Sequence, residues 1–128
     1  MGLPAAKQGD QVVGVDMHVV VPPAPAAPAP MPLPFAGALN GNLSSNVKIM
    51  GRPAATVGST ADNAPPHVAP GGVFQRPPSN KGTVKVGSQT VKINGKPAAR
   101  AGDPVETCND PTDLPVSKIV AVGTVNIG

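Results

Sequence analysis

Apolar residues alternate with polar ones in several short stretches of this chain, a pattern typical of strands with one face in water. The clearest stretches are Thr83-Val-Lys-Val86 and Thr90-Val-Lys-Ile-Asn94, which a tight turn separates and which are expected to pair as a hairpin. Further strands are predicted at Gln11 to Val15, Val47 to Met50, Lys118 to Val122 and Thr124 to Ile127. Valine and isoleucine dominate these stretches, and their branched side chains favour strands. The pattern predicts a small all-β domain.

A nine-residue phrase with the pattern G-x-P-A-A-x-x-G-[DS] occurs three times, at residues 2–10, 51–59 and 95–103. The second and third copies directly follow the predicted strands at 47–50 and 91–94. Three copies of one unit in a chain of 128 residues predict pseudo-three-fold symmetry or a short stack of units. The Ala-Ala step of each copy is expected to pack where the copies converge, because only small side chains fit a crowded axis.

The two histidines and the single cysteine follow the spacing of the repeats. His18 and His67 each lie nine residues after the second glycine of a copy, and Cys108 lies six residues after it. A lone histidine is usually a surface or satisfied core residue, and a free cysteine is usually a small buried hydrophobe. The equal offsets of the two histidines favour a different interpretation, in which each repeat places one metal ligand at an equivalent position.

The composition limits the size of the hydrophobic core. The chain has 18 Pro, 15 Gly, 2 Phe and neither Tyr nor Trp, and its apolar residues are mostly alanine and valine. Proline disfavours long helices because it lacks a backbone donor and clashes in helix interiors. We expect one domain, residues 1–128, that needs a metal ion, a partner or both for its stability.

Charge and cysteine usage exclude several classes of protein. The formal net charge is +3, the charges are dispersed and aromatic residues are few, which argues against a nucleic-acid-binding surface. One cysteine excludes an intrachain disulfide and suits assembly in a reducing compartment. The N-terminus lacks the basic and apolar regions of a signal peptide, and no apolar run is long enough to span a bilayer. Any export is therefore expected to use another route.

Residues 19–46 form a Pro-rich insertion between the first and second repeats. The run Pro22-Pro-Ala-Pro-Ala-Ala-Pro-Ala-Pro30 favours extended polyproline II conformation. One interpretation is a flexible linker between two domains. The interpretation preferred here is a semi-rigid loop that lies on the domain surface, because the repeats on both sides belong to one unit and Phe35 and Leu39 can anchor its far end.

Pro-Ala-Ala-Arg at 97–100 resembles the signature of the PAAR-repeat family, and Pro-Ala-Ala-Thr at 53–56 and Pro-Ala-Ala-Lys at 4–7 are variants of it. Three copies of the repeat, each followed by a histidine or a cysteine, make the resemblance specific. It extends over nearly the whole chain, including Asn80-Lys-Gly-Thr83 and Thr107-Cys-Asn-Asp-Pro111. The resemblance implies a small cone built of β-hairpins with pseudo-three-fold symmetry.

The resemblance also implies a mechanical function. Relatives of this kind cap and sharpen the trimeric β-helical spike (VgrG-like) of type VI secretion systems and related contractile injection machines. The implied partner is one such trimer per tip, with effector cargo carried noncovalently or on other subunits. The implied location is assembly in the bacterial cytoplasm, followed by secretion or delivery into target cells as the tip pierces a membrane.

Family members bind a structural zinc ion near the pointed end, typically through three histidines and one cysteine. Carried over by position, His18, His67 and Cys108 are the zinc ligands expected here. The sequence lacks a third histidine, while zinc prefers four ligands. Water, a carboxylate such as Asp16 or Asp110, or a neighbouring loop remain alternatives for the fourth position, and so does a weakened or empty site.

The broad end of the cone is expected to present strand edges and apolar side chains to the spike trimer. The expected contact residues are apolar members of the late strands: Val84, Val86, Ile119, Val120, Val122, Val125 and Ile127.

Two other classes of function compete with the spike tip. A small zinc-dependent or cysteine-dependent effector enzyme would need a base, an oxyanion site and a pocket. Assigning the histidines and the cysteine to a metal leaves few residues for that chemistry, and Asp10 and Asp103 are expected to cap turns rather than to catalyse. A disordered Pro/Ala-rich interaction protein is the third class, which the regular strand pattern disfavours.

Overall fold

The computed structural model describes residues 2–128 and contains thirteen β-strands in that range. The strands are β1 Leu3–Pro4, β2 Gln11–Val21, β3 Ala29–Gly41, β4 Lys48–Ile49, β5 Arg52–Pro53, β6 Thr60–Asp62, β7 Val73–Phe74, β8 Lys81–Val84, β9 Lys92–Ile93, β10 Lys96–Pro97, β11 Pro104–Thr107, β12 Leu114–Val120 and β13 Asn126–Ile127. Within these described residues no helix is long and apolar enough to cross a membrane.

Six of the strands form a small closed sheet. The strand order is β12-β11-β8-β6-β3-β2, and β12 also pairs with β2, which closes the barrel. Each repeat is followed by two of these strands: β2 and β3, then β6 and β8, then β11 and β12. The arrangement confirms the predicted all-β fold and the pseudo-three-fold relation between the three parts of the chain.

The three Pro-Ala-Ala segments meet on the pseudo-three-fold axis. The amide of Ala6 donates to the carbonyl oxygen of Ala99 at 2.9 Å, the amide of Ala99 to that of Ala55 at 3.0 Å, and the amide of Ala55 to that of Ala6 at 3.0 Å. All three side chains are fully buried. The cyclic hydrogen bonds confirm that the Ala-Ala steps pack at a crowded axis, where a larger side chain would overlap its neighbours.

The last residue of each repeat caps its turn. A side-chain oxygen of Asp10 accepts a hydrogen bond from the amide of Lys7 at 2.9 Å, and Asp103 does the same for Arg100 at 2.7 Å. In the second repeat the hydroxyl of Ser59 accepts from the backbone amide three residues earlier at 3.0 Å. The prediction that Asp10 and Asp103 cap turns is confirmed.

Three short two-stranded ribbons surround the axis at the end of the barrel where the repeats lie. Two of them, β4–β5 and β9–β10, are hairpins whose turns, Met50-Gly51 and Asn94-Gly95, have both residues at positive φ, as a tight two-residue turn requires. The third ribbon pairs β1 with β13, from opposite ends of the chain. It supplies the third Val-x-Ile strand, Val125-Asn126-Ile127, which the sequence analysis did not assign to the first repeat.

The core has two parts that follow this symmetry. The larger cluster fills the barrel and contains Phe35, Leu39 and Ile119 beside the axial alanines. The smaller cluster lies between the ribbons and contains the equivalent residues Ile49, Ile93 and Ile127.

The prediction that residues 19–46 form a surface loop is wrong for most of this segment. Residues 29–41 form β3, which pairs with β2 over ten residues from Val20↔Ala29 to Gln11↔Ala38. Phe35 and Leu39 are buried in the barrel, as expected for anchors, but they belong to a core strand.

The predicted pairing of residues 83–86 with residues 90–94 is also wrong. β8 pairs with β6 and β11, whereas β9 pairs with β10 after the Asn94-Gly95 turn. Alternation indicated two strands correctly, but it carries no information on which of several equivalent strands will be the neighbour.

Ala99→Val is expected to lower the free energy of unfolding by about 1–3 kcal/mol, because it overpacks the axis. The matched control is Ala101→Val. The repeat places Val57 at the position equivalent to Ala101, and both side chains are partly buried against the same core. The control is expected to change the unfolding free energy by less than about 0.5 kcal/mol. Equal losses in urea denaturation of both variants would contradict a crowded axis.

Candidate metal centre

Four side chains from separate parts of the chain converge at the end of the barrel opposite the ribbons. Asp16, His18, His67 and Cys108 each offer one donor atom, and these atoms all lie within 4.8 Å of one another. The structure thus brings together the three residues that the repeat spacing singled out and adds one of the two carboxylates that the sequence left open.

Two of the donors come from one strand. Asp16 and His18 are two residues apart on β2, so the alternation of the strand turns both side chains to the barrel interior, where both residues are fully buried. His18 is the more unusual of the two, because neither ring nitrogen has a hydrogen-bond partner within residues 2–128. A buried polar ring without partners is costly, and a bound cation would relieve that cost.

Cys108 follows the end of β11 and is almost fully buried. Burial raises the pKa of its thiol, and the negative charge of the neighbouring Asp16 raises the pKa further. Its sulfur lies 3.5 Å from Oδ2 of Asp16. A thiol in this setting keeps its proton unless a cation is present to stabilise the thiolate.

His67 is the donor that does not lie on a strand. It lies in the loop between β6 and β7, where its backbone amide donates to Oδ1 of Asn80 at 2.8 Å. Its Nε2 is 2.8 Å from Oδ2 of Asp16, and its Nδ1 contacts the amide nitrogen of Asn63 at 3.2 Å. The loop ligand is therefore oriented by contacts on both ring nitrogens and on its backbone.

Asp16 presents one oxygen to the cluster and uses the other to hold its own position. Oδ1 accepts hydrogen bonds from the hydroxyl of Thr107 at 2.5 Å and from the amide of Asn109 at 3.2 Å. Oδ2 faces His67 and Cys108. A carboxylate with one oxygen satisfied and the other directed at an imidazole and a thiol is arranged as a monodentate metal ligand.

Asp110, the other carboxylate considered for the fourth position, lies outside this group of four. Its Oδ2 is 3.6 Å from Nδ1 of His18 and accepts a hydrogen bond from the amide of Val19 at 2.8 Å. Its Oδ1 pairs with Nε of Arg76 at 3.0 Å. Asp110 therefore contacts His18 from outside the group of four donors.

The donor set fits zinc. Two imidazoles, one thiolate and one carboxylate are ligands that zinc accepts, and four of them complete the tetrahedral shell of a structural site. The observations in favour of a cation are the partnerless ring nitrogens of His18 and the position of Oδ2 of Asp16, which faces an imidazole and a thiol. The sequence pattern had located the histidines and the cysteine, but the inward orientation of Asp16 follows only from its register on β2.

The expected partner-binding residues divide into two groups. Val84 and Ile119 face the barrel interior and Ile127 lies between the ribbons, so all three are buried and the expectation that they contact a partner is wrong for them. They occupy the inward positions of their strands. The remaining four are exposed: Val86, Val120, Val122 and Val125.

Several residues at this site were missed by the sequence analysis. Phe74 packs edge-on against His18 with ring centroids 5.7 Å apart. Asn109 holds β2 at two neighbouring residues, accepting from the amide of Met17 at 2.7 Å and donating to Oδ1 of Asp16 at 3.2 Å. Asn109 belongs to the Thr107-Cys-Asn-Asp-Pro111 motif that supports the family resemblance, which was the available signal for its role. Phe74 lies in a Gly/Pro-rich stretch that gave no such signal.

In a comparison with known families, residues 75–128 match the model of the PAAR motif family. The matched segment contains the third repeat and Cys108, whereas Asp16, His18 and His67 precede it. A comparison with curated proteins gives no match. The match over residues 75–128 agrees with the resemblance drawn from the repeats.

Proposed function

We propose that this chain, whose residues 75–128 match the model of the PAAR motif family, is the tip that caps a trimeric, VgrG-like β-helical spike in a type VI secretion system or a related contractile injection machine. A zinc ion bound by Asp16, His18, His67 and Cys108 stabilises the far end of the tip in this proposal. The family match supports the spike-tip role. The observations below support the capping of a trimer and the bound zinc ion.

The observation that carries the proposal is the ring of hydrogen bonds between Ala6, Ala55 and Ala99. It makes a single chain nearly three-fold symmetric at one end. A monomer with this symmetry can make three equivalent contacts with a three-fold trimer, so one tip per trimer is the expected stoichiometry.

The ribbons at the same end support an interface with a β-structured partner. The ribbons β1–β13, β4–β5 and β9–β10 each have only two strands, so each leaves strand edges unpaired within the described part of the chain. Open edges are commonly covered by a partner sheet. Exposed apolar side chains lie beside these edges: Leu3, Met50, Val86, Val122 and Val125.

The metal centre supports a tip that is rigid at the opposite end. The four donors come from three separate segments: β2, the loop after β6 and the end of β11. One ion would link these segments. Structural zinc contributes about 10–16 kcal/mol of apparent binding free energy in small peptides at neutral pH, which is comparable to or larger than the net stability of many domains.

A catalytic role for the same residues is less well supported. Asp16, His18 and Cys108 are buried, and the four protein ligands would fill the coordination shell that a reactive water needs. The family role is structural, and zinc-dependent or cysteine-dependent catalysis is therefore the weaker proposal.

Val122→Glu is expected to lower the affinity of the tip for its cognate spike trimer by about tenfold or more, because it places a charge in an apolar contact. Val122 is 75% exposed and its carbonyl oxygen accepts from the side chain of Lys7, so the substitution lies at the ribbon end without disturbing the core. Pull-down of the purified trimer followed by a binding titration measures the effect.

Val15→Glu is the matched control, since Val15 is an exposed valine on β2, on the side of the barrel rather than at the ribbon end. It should bind the trimer like the parent protein. If the Val122 variant binds as well as this control, or if the parent protein does not bind the trimer at all, the proposed cap is incorrect.

A further inference from the structure

Asp110 and Arg76 form a chain of contacts that runs from the surface to the buried ring of His18. Oδ2 of Asp110 is 3.6 Å from Nδ1 of His18, and Oδ1 of Asp110 pairs with Nε of Arg76 at 3.0 Å. Both Asp110 and His18 have side chains that are at most 6% exposed, whereas the side chain of Arg76 is 51% exposed. The carboxylate of Asp110 thus contacts both the imidazole ring and the guanidinium.

The same short segment covers His18 by two further contacts. The ring of Phe74 on β7 packs edge-on against the imidazole, and the amide of Gln75 donates to the carbonyl oxygen of Val19 at 3.0 Å. Arg76 also donates from Nη2 to the carbonyl oxygen of Asn109, the residue whose amide holds Asp16. Residues 73–76 therefore contact the ring of His18 directly and also contact Asn109, which holds Asp16.

We propose that Asp110 and Arg76 are positioning residues that select Nε2 of His18 as the metal-binding atom. This inference rests on the metal centre proposed above. Because Nδ1 faces Asp110, the carboxylate stabilises the tautomer with its proton on Nδ1 and leaves the lone pair of Nε2 for the cation. Arg76 holds the carboxylate in place through its ion pair with Oδ1. Ligating histidines are commonly oriented in this way by a carboxylate on the other ring nitrogen.

Because Arg76 is half-exposed, the effect of substituting it on zinc binding can be distinguished from an effect on folding. A surface cavity of about 290 Å³, lined by Val19, Gln75, Arg76, Asp110 and Pro111, gives solvent access to the ion pair. An ion pair with one half-exposed partner contributes little to stability. A substitution of Arg76 should therefore affect the metal centre more than the fold.

The first test measures zinc affinity by competition with a chromophoric chelator, using Zn²⁺ alone and the full chain. Asp110→Asn is expected to weaken zinc binding by about 10–100-fold, and Arg76→Gln by about tenfold or less. The matched control is Lys81→Gln. Lys81 makes an ion pair of the same length, 3.0 Å, with Asp62, and its side chain is 53% exposed. The control should bind zinc like the parent protein.

The second test reads the tautomer directly by long-range ¹H–¹⁵N correlation of the His18 ring in the zinc form. The expected spectrum shows a protonated Nδ1 and a metal-bonded Nε2, with faster solvent exchange of the Nδ1 proton in the Arg76 variant. The Arg76→Gln variant still tests the proposal if Asp110→Asn fails to fold.

The outcomes distinguish this inference from the proposal it rests on. A parent protein that binds no zinc overturns the metal centre itself. A parent protein that binds zinc while both variants match the Lys81 control, or a zinc form with Nδ1 of His18 as the bonded nitrogen, overturns only the positioning role.

Discussion

Cys108→Ser is expected to lower the melting temperature of the zinc-loaded protein by about 15 °C. A ligand present at about 1,000 times its dissociation constant stabilises the native state by about 4 kcal/mol, and 1 kcal/mol corresponds to roughly 3–5 °C in a domain of this size. Serine is nearly the same size as cysteine, so the change in packing is small. The expected loss therefore comes from the missing thiolate ligand.

A chelator provides the control for this prediction. Removing zinc from the parent protein should lower its melting temperature to nearly that of the Cys108 variant, and the variant itself should respond little to the same chelator. Calorimetric scans with a measurement of bound zinc check both points, with about one ion per chain expected in the parent. A parent protein whose melting temperature is insensitive to the chelator would show that no metal stabilises this fold.

Phe35→Ala is expected to lower the free energy of unfolding by about 3–5 kcal/mol, as for other fully buried phenylalanines. Phe35 is 1% exposed and is the largest fully buried side chain of the described residues. Its ring also lies edge-on to the imidazole of His67, with centroids 6.3 Å apart. The substitution opens a cavity in the barrel core directly below the metal centre, and urea denaturation measures the loss.

Val15→Ala is the control for the Phe35 variant. Val15 lies on β2 opposite Pro34 of β3, but its side chain is 54% exposed, so its truncation is expected to cost less than about 0.5 kcal/mol. The comparison tests whether Phe35 packs in the barrel core. Similar small losses for both variants would contradict that packing, whereas a buried Phe35 gives a large loss for its own variant alone.

The prolines of β3 explain why this strand was not predicted. Pro30, Pro32 and Pro34 interrupt the segment, and proline within a run normally argues against a strand. In the structure all three are exposed and alternate with buried Leu33 and Phe35.

Proline has no backbone N–H, and the amide of Ala36 shows which side of β3 the proline nitrogens face. This amide points away from β2 and donates to Oδ1 of Asn63 at 2.9 Å. Since alternate residues direct their nitrogens to the same side, the prolines lie along the edge of β3 that no second strand covers. Sequence alone could not identify that edge, because β6 pairs with β3 only at its end, from Leu39↔Ala61 to Gly41↔Thr60.

The cluster of candidate metal ligands was predicted more completely than the strand pairing. The repeat spacing identified His18, His67 and Cys108 because each repeat begins an equivalent part of the barrel, so equal offsets lead to nearby positions. The same reasoning could not choose between Asp16 and Asp110. Both are near the ligands in sequence, and only the direction of the side chain on β2 brings Asp16 into the cluster.

The sequence by itself determined the repeated unit, its turn caps, its small axial residues and three of the four donors, because these depend on local chemistry at fixed spacing. The tertiary structure alone decided which strands are neighbours, that Val125-Asn126-Ile127 completes the ribbon of the first repeat, and that Asp110 contacts His18 from outside the cluster. Those features join residues up to about 120 positions apart. Alternation and spacing indicate on which face of its strand a side chain lies. The residues that this face contacts are fixed only when the barrel closes.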